Sequence, residues 1–562
     1  MGHRGTVEAR TATVSTAGHE EGTIGTSRAP SPLRWWQRAA LARLGRINWD
    51  DGLLASSLLG LCVLVRVLHL TPVDMFWDAG AKWHFVRQWS YSNDFSHAHW
   101  SHHMARMGVN VPAYFAQRLF GTNPGVYYVT PIALFALGSL FAYLTARRLG
   151  GLGAGVLAGL LMAVFPGMDR TASQLLPDGI VGTAALIGAY AFVRFCETEG
   201  KTRQRWLLGV ALACIWAYAI KESSVLLFPG VVLGVFLSRR SYKEALLLVG
   251  VLALYGLLET AGFRLFTPYA HRLAVVEEEH GLYPPVTFWG LFGRFAKLEP
   301  PMQMLFWSWL ASVLYDAGSS DRRRRLFLLL PLGYVFFLTF MVRRINPIIQ
   351  WESFKPRYMQ PAEPMFVVSV AVFIADCTRR FWAVVAGPRL ELWRLKLASE
   401  PAWATFSLCC LLGAGFYWDA RADLAHHPLR VLRHEAAILD DAFRRNLPLV
   451  ESGANPRGLN TVYAIYMRPE YLAQSNLGQG GILPDIWEAV RPLDRHKRVW
   501  FVLRDDSAYR TGDIQKLVDE GCVVVVTADR QIQLSSQEKL PARCKAPRGE
   551  PIPRLSADHG LL

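Results

Sequence analysis

The feature that most constrains this chain is a series of apolar runs. Several approach the roughly 20 residues that an α-helix needs to cross the hydrocarbon core of a bilayer. Eleven such segments are predicted, at about 52–71, 126–146, 152–167, 176–195, 206–220, 223–238, 244–264, 302–317, 326–342, 361–377 and 402–418. The expected fold class is a polytopic α-helical membrane protein with about 11 transmembrane helices. With 52% hydrophobic and only 19% charged residues in 562, the chain is not disordered, collagen-like or a disulfide-stapled scaffold. The net charge of +15 comes from 60 Lys and Arg against 45 Asp and Glu. Much of that excess lies in short connections between apolar runs, where it reads as a topology signal and not as a nucleic-acid footprint.

With the N-terminus cytoplasmic, every inside connection is basic. These connections carry Arg147-Arg148, then Arg194 with Lys201, Arg203 and Arg205, then Arg239-Arg240 with Lys243, Arg322 to Arg325, and Arg379-Arg380 with Arg389, Arg394 and Lys396. The short outside turns 168–175 and 221–222 hold one cation each. Residues 1–33, rich in Gly, Thr, Ser, Ala and Arg, read as a disordered cytoplasmic tail, and the first apolar run as an uncleaved anchor. Residues 34–418 read as the transmembrane domain, with a large first outside loop at 72–125. Residues 419–562 read as a small extracytoplasmic α/β domain. Its strand-like runs are at 461–466, 498–503 and 522–527, and its helix-like stretches at about 430–445 and 512–520. Six of the eight cysteines (Cys62, Cys196, Cys214, Cys377, Cys409 and Cys410) lie in or beside apolar segments and read as small buried hydrophobes. Cys522 and Cys544 could form one disulfide outside the membrane.

The first outside loop is the most unusual stretch. It opens Pro72-Val73-Asp74-Met75-Phe76-Trp77-Asp78-Ala79. Positions 79, 83, 86 and 89/90 then share one helical face, which suits an interfacial helix with Trp83 and Trp89 at the membrane surface. Asp78 sits where a lipid headgroup would meet water, although a solvated loop acid is an equal reading. The loop goes on through His97, His99, His102 and His103 to Arg106. Four histidines so close leave a divalent metal open as a cofactor, but their spacing fixes no defined site. Phosphate contact from His103 and Arg106 is a second role, since the planar donors of Arg match phosphate oxygens.

Other charges fall at the same membrane face. Asp178 opens the fourth span, where an acid also serves as a helix dipole partner. Lys221-Glu222 lies in a turn between spans. Lys355-Pro356-Arg357-Tyr358 precedes the tenth, where interfacial anchoring is the plainer reading. Ionisable groups gathered at one face suggest a shared polar cavity. Glu259 and Arg66 are the candidate intramembrane charges, and either could snorkel.

Taken in order, these motifs resemble those of the GT-C glycosyltransferases, in particular the bacterial branch with protein O-mannosyltransferase-like enzymes and the aminoarabinose transferase of lipid A. The resemblance rests on Asp78, on His103-Met104-Ala105-Arg106 through Pro112, on Phe120-Gly121, and on Gln174-Leu175-Leu176-Pro177-Asp178. It continues through Tyr218-Ala219-Ile220-Lys221-Glu222-Ser223 and the weaker Lys355-Pro356-Arg357-Tyr358-Met359-Gln360-Pro361, covering roughly residues 50–380. It implies a bacterial enzyme of the cytoplasmic (inner) membrane. Such an enzyme moves a sugar from a polyprenyl-phosphate carrier to a glycan, lipid or protein acceptor at the outer face, with inversion. Asp78 would be the general base, with Asp74 as its rival. Arg106, Lys221 and Arg357, backed by His103, would meet the phosphate, and Asp178 would orient the sugar or a cation. The family pattern often has a second acid after the first, where this chain has Ala79. A lipid transporter or flippase and an oligosaccharide ligase or polymerase are the competing classes. The chain lacks a Walker loop, and no internal repeat is visible.

Overall fold

The computed structural model describes residues 49–71, 82–83, 86, 105–121, 124–168, 172–266, 270–272, 287–293, 295–340, 342–344, 348–350, 356–386, 401–421, 429, 449–452, 499–502 and 524–527. The chain divides at Gly52, and of Met1–Gly52 only the opening of one helix is described. The expected tail at 1–33 therefore lies outside the described residues, as do Asp74, Asp78, the four loop histidines, Trp89, Cys522 and Cys544.

Thirteen α-helices are described: α1 (Trp49–Leu68), α2 (Met107–Phe120), α3 (Pro124–Gly150), α4 (Leu152–Val164), α5 (Pro177–Glu197), α6 (Gly200–Ile220), α7 (Phe228–Arg239), α8 (Tyr242–Phe266), α9 (Pro300–Ala317), α10 (Arg322–Phe327), α11 (Leu329–Phe340), α12 (Glu363–Ala386) and α13 (Pro401–Arg421). Each of the eleven expected spans falls on one or two of them. Among the described residues, five segments are long and apolar enough to cross a membrane: Asp51–Leu68, Gly125–Gly150, Pro177–Glu197, Glu222–Arg239 and Tyr242–Phe266. The shortfall has local causes. Helix α6 opens on the polar run Gly200–Arg205, α12 carries Asp376, Arg379 and Arg380, and α11 has only 12 residues.

The helix boundaries follow from sequence. Pro177 opens α5 after an extended Leu176, and Pro300 opens α9 after an extended Glu299, where a missing N–H costs nothing and φ is already set. Asp321 caps α10 by accepting a hydrogen bond from the Arg323 N–H at 2.9 Å. Helix α5 is buried along most of its length. Its small residues, among them Gly179, Gly182, Ala184, Ala185 and Ala189, let α3, α6 and α12 pack closely around it. A Cβ on Gly182 would lie 3.0 Å from Pro364 Cγ and 3.1 Å from the Gln360 carbonyl oxygen.

Helix α2 crosses the end of α6 even more tightly. A Cβ on Gly108 would lie 2.6 Å from the Ile220 backbone nitrogen, and the Gly108 carbonyl accepts from Trp216 Nε1 at 3.3 Å. Trp83 and Val86 are fully buried, with the Trp83 ring edge-on to Tyr127 at 5.7 Å. The expectation of Trp83 at a membrane surface is thereby corrected. The Trp83 carbonyl accepts from Gln117 Nε2 of α2 at 3.3 Å, so Trp83 packs against that helix. Arg66 does not snorkel either. It donates to the Met162 carbonyl at 2.9 Å and lies 5.1 Å from the Phe135 ring.

Strands β1 (Val342–Arg344) and β2 (Ile349–Gln350) pair antiparallel. In the tail, β3 (Leu449–Ser452) lies between β4 (Val499–Val502), antiparallel to it, and β5 (Val524–Thr527), parallel to it. The last two coincide with expected strands, and β3 was not expected. The run at 461–466 and both helix-like stretches lie outside the described residues. Of the six cysteines read as buried, Cys62, Cys214 and Cys409 are, Cys196 and Cys377 are half-buried, and Cys410 is exposed.

Candidate functional site

The sequence motifs converge where α5 begins, α6 ends and α12 begins. Lys221 is the residue after α6, in extended conformation (φ −154°, ψ 133°), which turns the chain sharply and points its side chain back at α5. Lys221 Nζ donates to Asp178 Oδ1 at 2.6 Å, and both residues are almost fully buried. The same ammonium lies 4.2 Å from the Tyr358 ring centre. Tyr358 sits on a short 3-10 turn, Pro356–Met359, and its carbonyl accepts from the Tyr334 hydroxyl at 2.7 Å. Arg357 is half-buried beside it, its guanidinium carbon 5.6 Å from that ring.

Glu222, the next residue along, gathers two arginines. Arg106 Nη2 lies 2.6 Å from Glu222 Oε1 and its Nε 3.4 Å from Oε2, a fork matched to a carboxylate. Arg272 Nη2 lies 3.5 Å from Glu222 Oε2, and Arg272 Nη1 3.4 Å from Glu259 Oε1. Arg272 also donates to the carbonyls of Tyr218 and Ala219 at 2.6 and 3.4 Å. The contact at Gly108 explains how Arg106 reaches the turn, since α2 starts one residue after Arg106 and is pressed onto Ile220.

The Gln174-Leu175-Leu176-Pro177-Asp178 segment is fixed to its surroundings as well. The Tyr127 hydroxyl donates to Gln174 Oε1 at 2.8 Å and accepts from the Leu175 N–H at 3.1 Å. The Ser173 hydroxyl donates to Thr71 Oγ1 at 2.8 Å, tying the start of α5 to the residue before the first long loop.

Of the expected site residues, Arg106, Asp178, Lys221, Glu222, Arg357 and Tyr358 are described, and ion pairs or ring contacts link them in two groups joined at Lys221-Glu222. Asp78 and His103 lie outside the described residues. Two cations expected to meet a phosphate, Arg106 and Lys221, each hold a carboxylate. Sequence reasoning did not find Arg272, nor the buried Gln360 and Glu363 beside Asp178. Their only signal was position: Gln360 is the penultimate residue of the quoted Lys355–Pro361 motif, and Glu363 lies two residues beyond its end. Glu259 belongs with Arg272 and does not snorkel. Among the described residues, no group of three or more His, Cys, Asp or Glu could hold a metal ion.

One turn further along α12, Phe366 stacks on Trp309 at 4.3 Å. Trp309 borders a cavity of about 720 Å³ between α9 and α11, lined mainly by aromatic and aliphatic side chains such as Phe295, Phe306, Trp307 and Phe336.

Residues 111–259 match the family model for dolichyl-phosphate-mannose-protein mannosyltransferase. That segment carries Asp178, Lys221 and Glu222 and is less than half of the chain. Among solved structures, the chain is similar to apo ArnT from Cupriavidus metallidurans, with 16% identity and a TM-score of 0.50, covering 83% of this chain and 99% of that one. It is equally similar to the same protein bound to undecaprenyl phosphate, with 15% identity and a TM-score of 0.50, covering 82% and 99%. A weaker likeness joins it to the archaeal oligosaccharyltransferase AglB from Archaeoglobus fulgidus, with 12% identity and a TM-score of 0.38, covering 90% and 61%. No curated protein matches the sequence significantly. The likeness to the ArnT structures shows a shared fold.

Proposed function

We propose that this protein transfers a sugar from a polyprenyl-phosphate carrier to a glycan, lipid or protein acceptor at the outer face of the bacterial cytoplasmic membrane. One observation carries the reading. On a fold shared with ArnT, a protein solved with undecaprenyl phosphate bound, Asp178, Lys221, Glu222, Arg106 and Tyr358 converge at one end of the helix bundle. The family match over residues 111–259 points to the same chemistry.

In this reading the eleven helical segments all span the membrane, and the end holding Asp178 faces outward. The basic connections support that orientation by meeting at the opposite end. There Arg324 donates to the Leu149 carbonyl at 2.9 Å, Arg323 lies 2.9 Å from Glu197, and Arg379 donates to the Gly150 carbonyl at 2.7 Å. Residues 419–562 form an accessory domain on the outer side. The aromatic cavity between α9 and α11 takes part of the isoprenoid, which needs an apolar groove near the phosphate site.

The leaving phosphate needs positive charge more than a proton donor. Arg357 supplies it directly. Arg106 and Lys221 add to the field while holding Glu222 and Asp178 in place, and His103 stands behind them. Asp78 takes the proton from the acceptor as it attacks the anomeric carbon, on the face opposite the phosphate, so the anomeric centre inverts. General-base help of this kind is worth about 10²–10⁴ in rate. The loop histidines leave a divalent metal open as a cofactor.

The test is mass spectrometry of lipid bound to the purified full-length protein, with binding of added undecaprenyl phosphate measured alongside. The expected result is a polyprenyl phosphate retained by the wild type and depleted in the Arg357→Ala variant. A folded wild-type protein that neither retains nor binds added undecaprenyl phosphate would overturn the reading.

A further inference from the structure

Beside the Lys221–Asp178 pair lie more buried acceptor atoms than the protein supplies with donors. Asp178 Oδ2, Gln360 Oε1 and Glu363 Oε2 are all buried, and none takes part in a hydrogen bond. Their residues are 1%, 9% and 3% exposed. Buried polar oxygens are nearly always satisfied, so three together call for an explanation.

Two contacts and the chain itself place them in one spot. Gly182 lies four residues after Asp178, on the same face of α5, and abuts the Gln360 carbonyl and Pro364. Lys221, which holds Asp178 Oδ1, lies against the ring of Tyr358, two residues before Gln360. Glu363 directly precedes Pro364, which packs on Gly182 one turn along α5 from Asp178. The plainer reading of Glu363, a helix dipole partner in the first turn of α12, accounts for its position but leaves Oε2 without a donor.

Among the described residues, Lys221 is the cation bonded to Asp178, and that carboxylate already occupies it. A phosphate brought here would set anionic oxygens against three acceptors. A sugar ring brings the opposite chemistry, O–H or N–H donors on adjacent carbons. We propose that Asp178, Gln360 and Glu363 form the subsite that grips the ring substituents of the donor sugar, accepting hydrogen bonds from its hydroxyl or ammonium groups. This deepens, and rests on, the glycosyl-transfer reading above. It also divides the carrier, with the phosphate toward Arg357 and the sugar toward the start of α12. Lys221 clamps one oxygen of Asp178, so the other is presented in a fixed direction.

The experiment measures the affinity of the full-length protein in nanodiscs for three probes: undecaprenyl phosphate, undecaprenyl-phosphate mannose and undecaprenyl-phosphate aminoarabinose. The wild type is expected to bind at least one sugar-bearing carrier more tightly than the bare one. Glu363→Gln puts a donor beside Asp178 that fills the subsite from within, and Gln360→Leu removes an acceptor. Each is expected to cut the preference about tenfold while leaving bare-carrier affinity in place. A larger loss with mannose identifies hydroxyl recognition, and a larger loss with aminoarabinose identifies an ammonium. Thermal unfolding of each variant checks folding, and if Glu363→Gln unfolds, Gln360→Leu decides. A preference retained in the folded variants, or absent from the wild type, overturns the subsite and leaves the transfer reading standing. A wild type that binds none of the three probes overturns both.

Discussion

The two ends of the helix bundle treat buried charge differently. At the end where α5 finishes, Glu244, Glu197, Asp316 and Asp376 each have an arginine within 4 Å, although Asp316 Oδ1 is buried without a hydrogen bond. Arg203 forks onto Glu244 at 2.6 and 2.8 Å and also donates to the Phe195 carbonyl and the Ser238 hydroxyl. Glu197 meets Arg323 at 2.9 Å and Arg194 at 3.2 Å, and Arg324 lies between Asp316 and Asp376. At the end where α5 begins, Asp178 keeps one oxygen idle and Glu363 and Gln360 add two more. The first arrangement surrounds its carboxylates with several arginines and holds helices together. The second leaves three acceptors idle around one ammonium, the arrangement on which the proposed sugar subsite rests.

That contrast makes predictions that would break or sharpen it. The largest effect is expected from Asp78→Asn, which should leave the protein folded and lower transfer by about 10²–10⁴. A fully active variant would remove Asp78 as the base. Next, Lys221→Met strands the buried Asp178 carboxylate and should destabilise the protein by about 3–5 kcal/mol in thermal or denaturant unfolding. The double variant with Asp178→Asn should recover part of that stability without recovering activity. Arg203→Met, at the matched end, should lose stability of the same order while the folded fraction keeps its affinity for undecaprenyl phosphate. Equal damage to carrier binding from Arg203→Met would erase the distinction between the ends.

A smaller effect is expected from Arg357→Ala, about 10- to 100-fold in undecaprenyl phosphate affinity with little change in unfolding temperature. The smallest involves Asp321, in the turn between α9 and α10. Partial burial works against its charge, but side-chain and backbone donors from Arg323 outweigh that and hold its carboxyl below the usual carboxylate range. A lowered folded value means the contribution is present above about pH 3.9 and is lost as pH falls through the folded value. With a partly exposed pair the size should stay below about 1 kcal/mol. Asp321→Asn should therefore flatten the acid limb of the stability profile slightly, and an unchanged limb would remove this term.

Helix positions were legible because apolar length is read directly from sequence: helices fall on all eleven expected segments, and five of these are long and apolar enough to cross a membrane. The site was legible where motifs were sharp. Asp178, Lys221 and Tyr358 meet through a residue in extended conformation that the sequence signals only as a polar break between apolar runs. Partnership was not legible. Nothing in the spacing says that Arg106 would fork onto Glu222 and not wait for a phosphate, because that depends on how closely α2 approaches the end of α6. Nor does period alone separate a surface tryptophan from a buried one. Trp83 lies on a face that suits an interface, yet it packs against Tyr127.

The close approach at Gly108 has a consequence for how tolerant the sequence can be of change. No side chain fits between α2 and the Ile220 nitrogen, so even one added methyl must push the helix, and Arg106 with it, off the turn. A saturation library at position 108, scored for function, should return glycine alone, while neighbouring exposed positions such as Val111 and Phe115 accept many residues. That depletion pattern would mark the joint between the first loop and the turn without any knowledge of the substrate.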